Sequence, residues 1–427
     1  MNDYRIKHIA KINAQTLPES TDPSYTFRYI DIGSVNSSGG ISIPEREVSF
    51  AAAPSRARRL APPGSVVVST VRTYLRAVAP VPASGAPLVF STGFAVLEAS
   101  DRVDNRYLAY YCQSQPFIDE VVARSTGVSY PAINASEIGN LTVTLPPLEE
   151  QRRLADFLDV EIARIDRLAS ARRRQYVTLE EHTNAEVSEI LIPGITRSPS
   201  GTWPWTWLPT LREDRALVRL GYVSRLQNGI TIDGSREASI DSVTRPYLRV
   251  ANVQAGYVDL SSVTEVTVPR AMAVRSTLRP GDVLMTEGGD LDKLGRGTVW
   301  EGQLPNCLHQ NHVFALRPDP DRLDPHYLAL MTQTLHGRCY FESTGSKTTN
   351  LASTNSSKIM SFPIPLPRLS RQRELVRQLR TQLDAATRFK ARLDQQLALL
   401  NERRQALITA AVTGQIDSYT ANGRGTE

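Results

Sequence analysis

Three metal-ligating side chains crowd into one short stretch of this chain: Cys307, His309 and His312. Thiolate and imidazole are zinc ligands, and a closed zinc site needs four of them. The fourth is missing nearby in sequence, so polar residues at a strand edge account for the trio better than a metal centre does. Gly345-Ser346-Lys347-Thr348 has the residue types of a phosphate loop without the upstream glycine or the Gly-Lys pairing. The NPP(F/Y) and DPPY tetrapeptides of amino-methyltransferases are absent, as is a glycine-rich strand–helix turn for a nucleotide cofactor. Nor does any carboxylate pair or Ser/His/Asp set emerge from the spacing. The residues supply no catalytic constellation, and no cofactor or metal is expected in this chain.

What the chain has in place of a catalytic set is a repeat. Residues 28–192 reappear, diverged but in order, at about 246–412. Tyr29 to Val35 aligns with Tyr247 to Val253, and Pro63 to Ser69 with Pro280 to Thr286. Arg106-Tyr107-Leu108-Ala109 faces His326-Tyr327-Leu328-Ala329, and Leu145 to Arg152 answers Leu366 to Arg373. In this alignment Thr92 stands where the second copy has His312. Four landmarks in one order imply a tandem of globular unit, helix, globular unit, helix. The expected boundaries are 1–146 and 219–366 for the units, 147–193 and 367–413 for the helices, 194–218 for the linker and 414–427 for a tail.

From Leu148 to Leu191, and again from Leu369 to Val412, glycine and proline are absent and helix formers dominate. Each stretch would be roughly 66 Å long as one helix. In the second, Leu379, Leu383, Ala386, Lys390, Leu393, Leu397, Leu400, Arg404 and Leu407 step by alternating four and three, a coiled-coil seam interrupted at Lys390 and Arg404. The corresponding seam of the first runs through Leu158, Ile162 and Ile165 and loses its apolar character beyond Leu179. Glu149 and Glu150 sit in the opening turn, where the macrodipole favours them. Charge is divided between the helices: residues 147–195 carry 7 basic and 10 acidic side chains, residues 367–412 carry 10 and 4. The units are near neutral, with 13 against 12 in 1–146 and 17 against 16 in 200–366.

Pairing within the chain would be antiparallel, with the units at opposite ends of a rod about a pseudo-two-fold axis. Pairing with another copy of the chain is the open alternative. Between the helices, short strands at 66–68, 89–90, 94–97, 141–145, 283–285 and 313–316 predict mixed α/β units. One short helix is expected in each, near Asn105–Gln113 and Pro325–Leu335. Trp203, Trp205 and Trp207 in the linker read as a plug for a hydrophobic joint. No apolar run reaches the roughly 20 residues of a membrane helix, the start lacks a signal peptide's apolar stretch, and three scattered cysteines suit a reducing cytoplasm.

In this order of motifs the chain resembles the specificity subunits of type I restriction-modification systems. The resemblance covers nearly the whole length: Lys11-Ile12-Asn13, Thr16-Leu17-Pro18-Glu19-Ser20, Tyr29-Ile30-Asp31-Ile32, Arg219-Leu220-Gly221-Tyr222-Val223, Pro280-Gly281-Asp282, and the two helix starts ending in Gln151 and Gln372. The second start departs from the family pattern at Arg368, Ser370 and Arg371. The resemblance implies an α/β fold of two similar target recognition domains separated by two long antiparallel coiled-coil helices. It also implies a non-catalytic subunit that reads a bipartite, asymmetric site in double-stranded DNA. Two methyltransferase subunits carrying S-adenosylmethionine would dock on the helices, and motor-nuclease subunits can join them. A coiled-coil adaptor without DNA readout is the competing reading.

If the units share a scaffold and differ in target, they should diverge where they read bases. The copies disagree in two loops, 70–76 against 287–296 and 125–130 against 343–350. Arginine suits guanine and asparagine suits adenine, while hydroxyls serve bases or phosphates. The candidate DNA-contacting residues are therefore Arg72, Tyr74, Arg76, Tyr130, Lys293, Arg296, Lys347 and Asn350. The candidate helix-pairing residues are Leu158, Ile162, Ile165, Leu379, Leu383, Leu393, Leu397 and Leu400.

Overall fold

The computed structural model describes residues 2–127, 130–196, 217–232, 241–289, 294–347 and 352–416. It divides into two compact units, one of residues 1–173 with 393–427, the other of residues 174–392.

The first unit opens with β1 (Asn2–Arg5), β2 (Ala10–Ile12), β3 (Thr26–Ile30), β4 (Val48–Ser49) and β5 (Ala57–Leu60). There follow β6 (Val66–Ser69), β7 (Val78–Pro80), β8 (Leu88–Ser91) and β9 (Phe94–Ala99), then helices α1 (Asn105–Gln113), α2 (Gln115–Ala123) and α3 (Ala135–Asn140). After β10 (Thr142–Leu145), which pairs antiparallel with β1, the chain enters α4 (Leu148–Leu191). One sheet runs in the order β2-β9-β6-β7 and a second in the order β4-β3-β8-β5. The Val66-Val67-Val68 run has no polar alternation because both its faces are covered. Val66 and Val68 join a core with Tyr107, Leu108 and Leu154, while Val67 faces Phe90, Phe94 and Val96.

The second unit repeats this plan. Its elements are β11 (Leu217–Arg219), β12 (Ser224–Gln227), β13 (Ser242–Leu248), β14 (Thr264–Pro269), α5 (Arg270–Ser276), β15 (Val283–Thr286), β16 (Gly288–Gly289) and β17 (Gly297–Val299). These lead into β18 (Leu308–His309), β19 (Val313–Pro318), α6 (Pro325–Gln333), α7 (Leu335–Thr344), β20 (Ser346–Lys347), β21 (Ala352–Ser353), α8 (Ser356–Met360), β22 (Pro363–Pro365) and α9 (Leu369–Val412). The sheet β12-β19-β15-β17 stands where β2-β9-β6-β7 stands in the first unit. Val283 and Met285 face a core with Tyr327 and Leu328, and Leu284 faces Trp300 and Ala315. β11 begins at Leu217, two residues ahead of the expected unit boundary, and pairs with β22.

α1 and α6 lie where expected, each begun by an aspartate N-cap: Asp104 accepts from the amides of Arg106 and Tyr107, Asp324 from those of His326 and Tyr327. The expectation of one short helix per unit was too few. α2 and α7 follow α1 and α6 after single N-cap residues, Ser114 and Thr334, whose type reads in sequence as a break. Trp203, Trp205 and Trp207 of the linker lie outside the described residues.

Within each unit the two long helices pack on one another. In the first, Leu154, Ala155, Leu158 and Ile162 share a core with Ile408, Ala411 and Val412. In the second, Val187 and Leu191 share one with Leu375 and Leu379, with Leu383 against it. Glu180 meets Lys390 at 3.9 Å and Glu186 accepts from Gln382 at 2.7 Å, so numbering rises along α4 as it falls along α9. The pairing is antiparallel and within one chain. Leu158, Ile162, Ile165, Leu379 and Leu393 are buried and Leu383, Leu397 and Leu400 are half-buried, as a seam requires. Both polar interruptions have partners: Lys390 lies 5.3 Å over the Tyr176 ring, and the buried Arg404 has its Nε 3.6 Å from Asp166. The loss of apolar seam in α4 ends sooner than expected, since Val187 and Leu191 enter the core of the second unit. At the end of α9, Ile408 is fully buried while Leu407 is half-buried. No helix among the described residues is long and apolar enough to cross a membrane.

The second unit holds two fully buried histidines. His309 Nδ1 donates to the carbonyl of Val313, and His336 Nε2 donates to that of Pro363. Burial pushes both pKa values below the usual range, against the opposing pull of those carbonyls. Because the folded values are depressed, the stabilisation is complete above the unfolded value of about 6.5 and is lost as pH falls below it. Each imidazole then costs up to about 1.4 kcal/mol per pH unit. Urea unfolding at pH 7.5 and 5.5 should show a loss that shrinks in a His309→Gln/His336→Gln variant. Equal losses in both proteins would refute the assignment.

Candidate nucleic-acid interface

The two loops in which the copies diverge meet in space, in both units. In the first unit the chain leaving β6 is held at its base by Thr70, whose amide and hydroxyl both donate to the Gly93 carbonyl at 2.8 and 2.9 Å. Val71 bridges to Ala132, and the Arg72 amide donates to Pro131 O at 2.7 Å. Arg72 and Arg76 then adopt left-handed backbone conformations, φ 49° and 57°, on either side of a single turn, Thr73–Leu75. Non-glycine residues pay about 1 kcal/mol or more for this geometry, which persists only where the surroundings enforce it. Here the enforcement comes from the second loop: besides the two backbone links, Thr73 Oγ1 and Ser125 Oγ lie 2.8 Å apart.

The constrained turn presents side chains outward. Tyr74 is 54% exposed and Tyr130 65%. The Arg72 guanidinium stacks 4.8 Å from the Tyr130 ring, and among the described residues it has no hydrogen-bond or ion-pair partner. Arg76 differs. Its Nη2 donates to Gln405 Oε1 of α9 at 3.2 Å, so it braces the turn against the helix.

In the second unit the same loops join through backbone pairing. β16 pairs with β21, β21 with β20, and the Thr354 amide donates to Glu287 O at 2.7 Å. Arg296 is half-buried at the foot of the first loop, between buried Leu294 and β17. Gly295, at φ +68°, lies so close to the Phe341 ring that a Cβ would collide with it. Lys293 and Asn350 lie outside the described residues. Lys347 is the last residue of β20, and Thr348 of the phosphate-loop-like stretch is also outside them.

A third element, missed in sequence, completes each patch. The turn between β8 and β9 supplies Gly93 O to Thr70, and the turn between β18 and β19 supplies His312 O to the Glu287 amide at 2.9 Å. His312 Nδ1 pairs with the Glu287 carboxylate, and half-buried Asn311 sits in the same turn. The substitution of His312 for Thr92 between copies was the available signal, obscured by the resemblance of the His/Cys run to a metal site. Cys307 and His309 turn away into the core, where burial raises the thiol pKa to about 12. Among the described residues no group of three histidine, cysteine, aspartate or glutamate side chains could hold a metal ion.

Comparison with known proteins places this arrangement. A family model described as the type I restriction modification DNA specificity domain matches residues 1–175. The type I restriction enzyme EcoKI specificity subunit of Escherichia coli K12 is 22% identical over 332 residues, 77% of this chain and 69% of its own length. The StySPI specificity subunit of Salmonella potsdam is 19% identical over 319 residues, 74% of this chain and 66% of its own length. A solved chain described under complex assembly and conformational transition of the type I R-M system has a TM-score of 0.65 at 24% identity, covering 97% of this chain and 98% of that one; at that identity it establishes a common fold. The family model covers the first unit up to its share of α4, and the second unit repeats its sheets, capped helices and helix start. Residues 1–175 carry the type I restriction modification DNA specificity domain, and over most of its length the chain is similar to the specificity subunits of type I restriction enzymes.

Proposed function

We propose that each unit of this chain reads one half of a split, asymmetric DNA sequence, and that the chain itself makes and breaks no covalent bond. The observation that carries this reading is the convergence of the divergent loops into one patch per unit, over a shared scaffold. At roughly 1–3 kcal/mol per correctly read base pair, each half-site alone is weakly specific, and joining two multiplies the discrimination. Two methyltransferase subunits docked on α4 and α9 would supply S-adenosylmethionine and adenine N6 chemistry, and motor-nuclease subunits can join them. Near-neutral units leave part of the non-specific phosphate affinity to those partners.

Selection from a random duplex library, with and without methyltransferase subunits, should enrich one gapped motif. An adaptor that does not read DNA would enrich none. Inserting four residues, about one helical turn, into each long helix should lengthen the tolerated gap and leave both half-motifs unchanged. A change in half-motif identity would refute the helices as a ruler.

Within the first unit, Arg72 is the residue best prepared to read a base. It is oriented by a stack on Tyr130, its donors are uncommitted among the described residues, and bidentate arginine reads guanine O6 and N7. Arg72→Ala should relax one guanine position of one half-motif by about 10- to 100-fold, following the 1–3 kcal/mol of such a contact. Tyr130→Phe, which keeps the ring, should preserve selectivity, and Tyr130→Ala should weaken it. An unchanged motif in Arg72→Ala would remove Arg72 from the reading surface.

A further inference from the structure

The first turn of each long helix carries a glutamine withdrawn from solvent, Gln151 at 1% exposure and Gln372 at 0%. Gln151 Oε1 accepts from the Asp104 amide at 3.0 Å, and its Nε2 donates to Pro146 O at 2.8 Å and Arg102 O at 3.4 Å. Gln372 repeats the set: its Oε1 accepts from the Asp324 amide at 2.8 Å, and its Nε2 donates to Pro367 O at 2.7 Å and Arg322 O at 2.8 Å. Each amide therefore ties together the strand leaving the globular unit, the loop before α1 or α6, and the long helix. The aspartate whose amide it receives also caps that short helix. Apolar side chains alone would let the short helix slide or tilt on the long one at modest cost, whereas hydrogen bonds fix distance and direction together.

We infer that Gln151 and Gln372 are positioning residues that hold each recognition unit at a fixed angle on the paired helices and so restrict the gap between half-sites. The inference rests on the DNA-reading function proposed above. In B-DNA one base pair of gap is roughly 3.4 Å of translation and about 35° of rotation. A joint that gives by a few ångströms or a few tens of degrees would therefore admit the neighbouring gap. Removing the amide orphans a buried N–H and two carbonyls that the apolar contacts cannot replace.

The test uses the full chain with its methyltransferase partners and a duplex library carrying both half-motifs at gaps from two shorter to two longer than the preferred one. The wild-type protein should select one gap. Gln151→Leu and Gln372→Leu should each raise binding to the neighbouring gaps, relative to the preferred one, by at least about tenfold, the worth of one or two buried hydrogen bonds. Both half-motifs should stay unchanged. Gln151→Glu and Gln372→Glu, isosteric but with an oxygen turned towards two carbonyls, should move in the same direction and carry the test if a leucine variant does not fold. Unchanged gap selectivity in folded variants overturns the inference. So does a degraded half-motif at an intact gap, which would make the glutamine a support of the reading surface itself. If the wild-type protein selects no gapped motif, the DNA-reading function falls, and this inference with it.

Discussion

Neither globular unit closes its core with its own sequence repeat. The first is completed by Ile408, Ala411 and Val412 from the far end of α9, the second by Val187, Leu191 and Ile192 from the far end of α4. Each buried aliphatic side chain of this kind contributes about 1.5–3 kcal/mol. The small helices of the units are tied to the same ends: the Gln115 amide at the start of α2 donates to Thr409 Oγ1, and the Leu335 amide at the start of α7 donates to Ser188 Oγ. Ser188 and Thr409 are 221 residues apart, as are Gln151 and Gln372. Each unit is thus gripped by the start of one long helix and the end of the other, and antiparallel pairing is the geometry that supplies both.

The polar breaks in the seam serve that pairing. A strictly leucine seam tolerates several registers, whereas a charged residue facing the partner helix is acceptable only where it finds a counter-charge. Lys390 finds Tyr176 and Glu180; Arg404, 8% exposed, finds Asp166. Burial pulls the Arg404 pKa down while Asp166 opposes the shift, so the guanidinium stays paired at some cost in stability. The opposite net charges of α4 and α9 express the same arrangement at the level of composition.

The duplication also separates what is scaffold from what is free to change. The buried valines of β6 have counterparts in β15, and the aspartate caps, helix-start glutamines and hydroxyl tethers recur in kind. The loops do not. One unit braces its loop patch with a strained single turn and an Arg72–Tyr130 stack, the other with a small three-stranded ribbon and a His312–Glu287 pair. Two solutions on one scaffold are what different targets would call for.

Local order was readable from the residues alone. The bounds of α4 and α9 follow from two stretches free of glycine and proline, and the start of α1 follows from Asp104, because propensity and capping act within a few residues. The short helices α2 and α7 were hidden by capping residues that also end helices, and the third turn of each patch by a resemblance to metal-ligand spacing. The meeting of Val71 with Ala132, and of Glu287 with Thr354, was not legible at all. Such contacts join segments some sixty residues apart, and no periodicity or propensity encodes a distance of that kind. They exist because two sheets and two helix ends must close one core, and only the packed chain decides which loops that closure brings side by side.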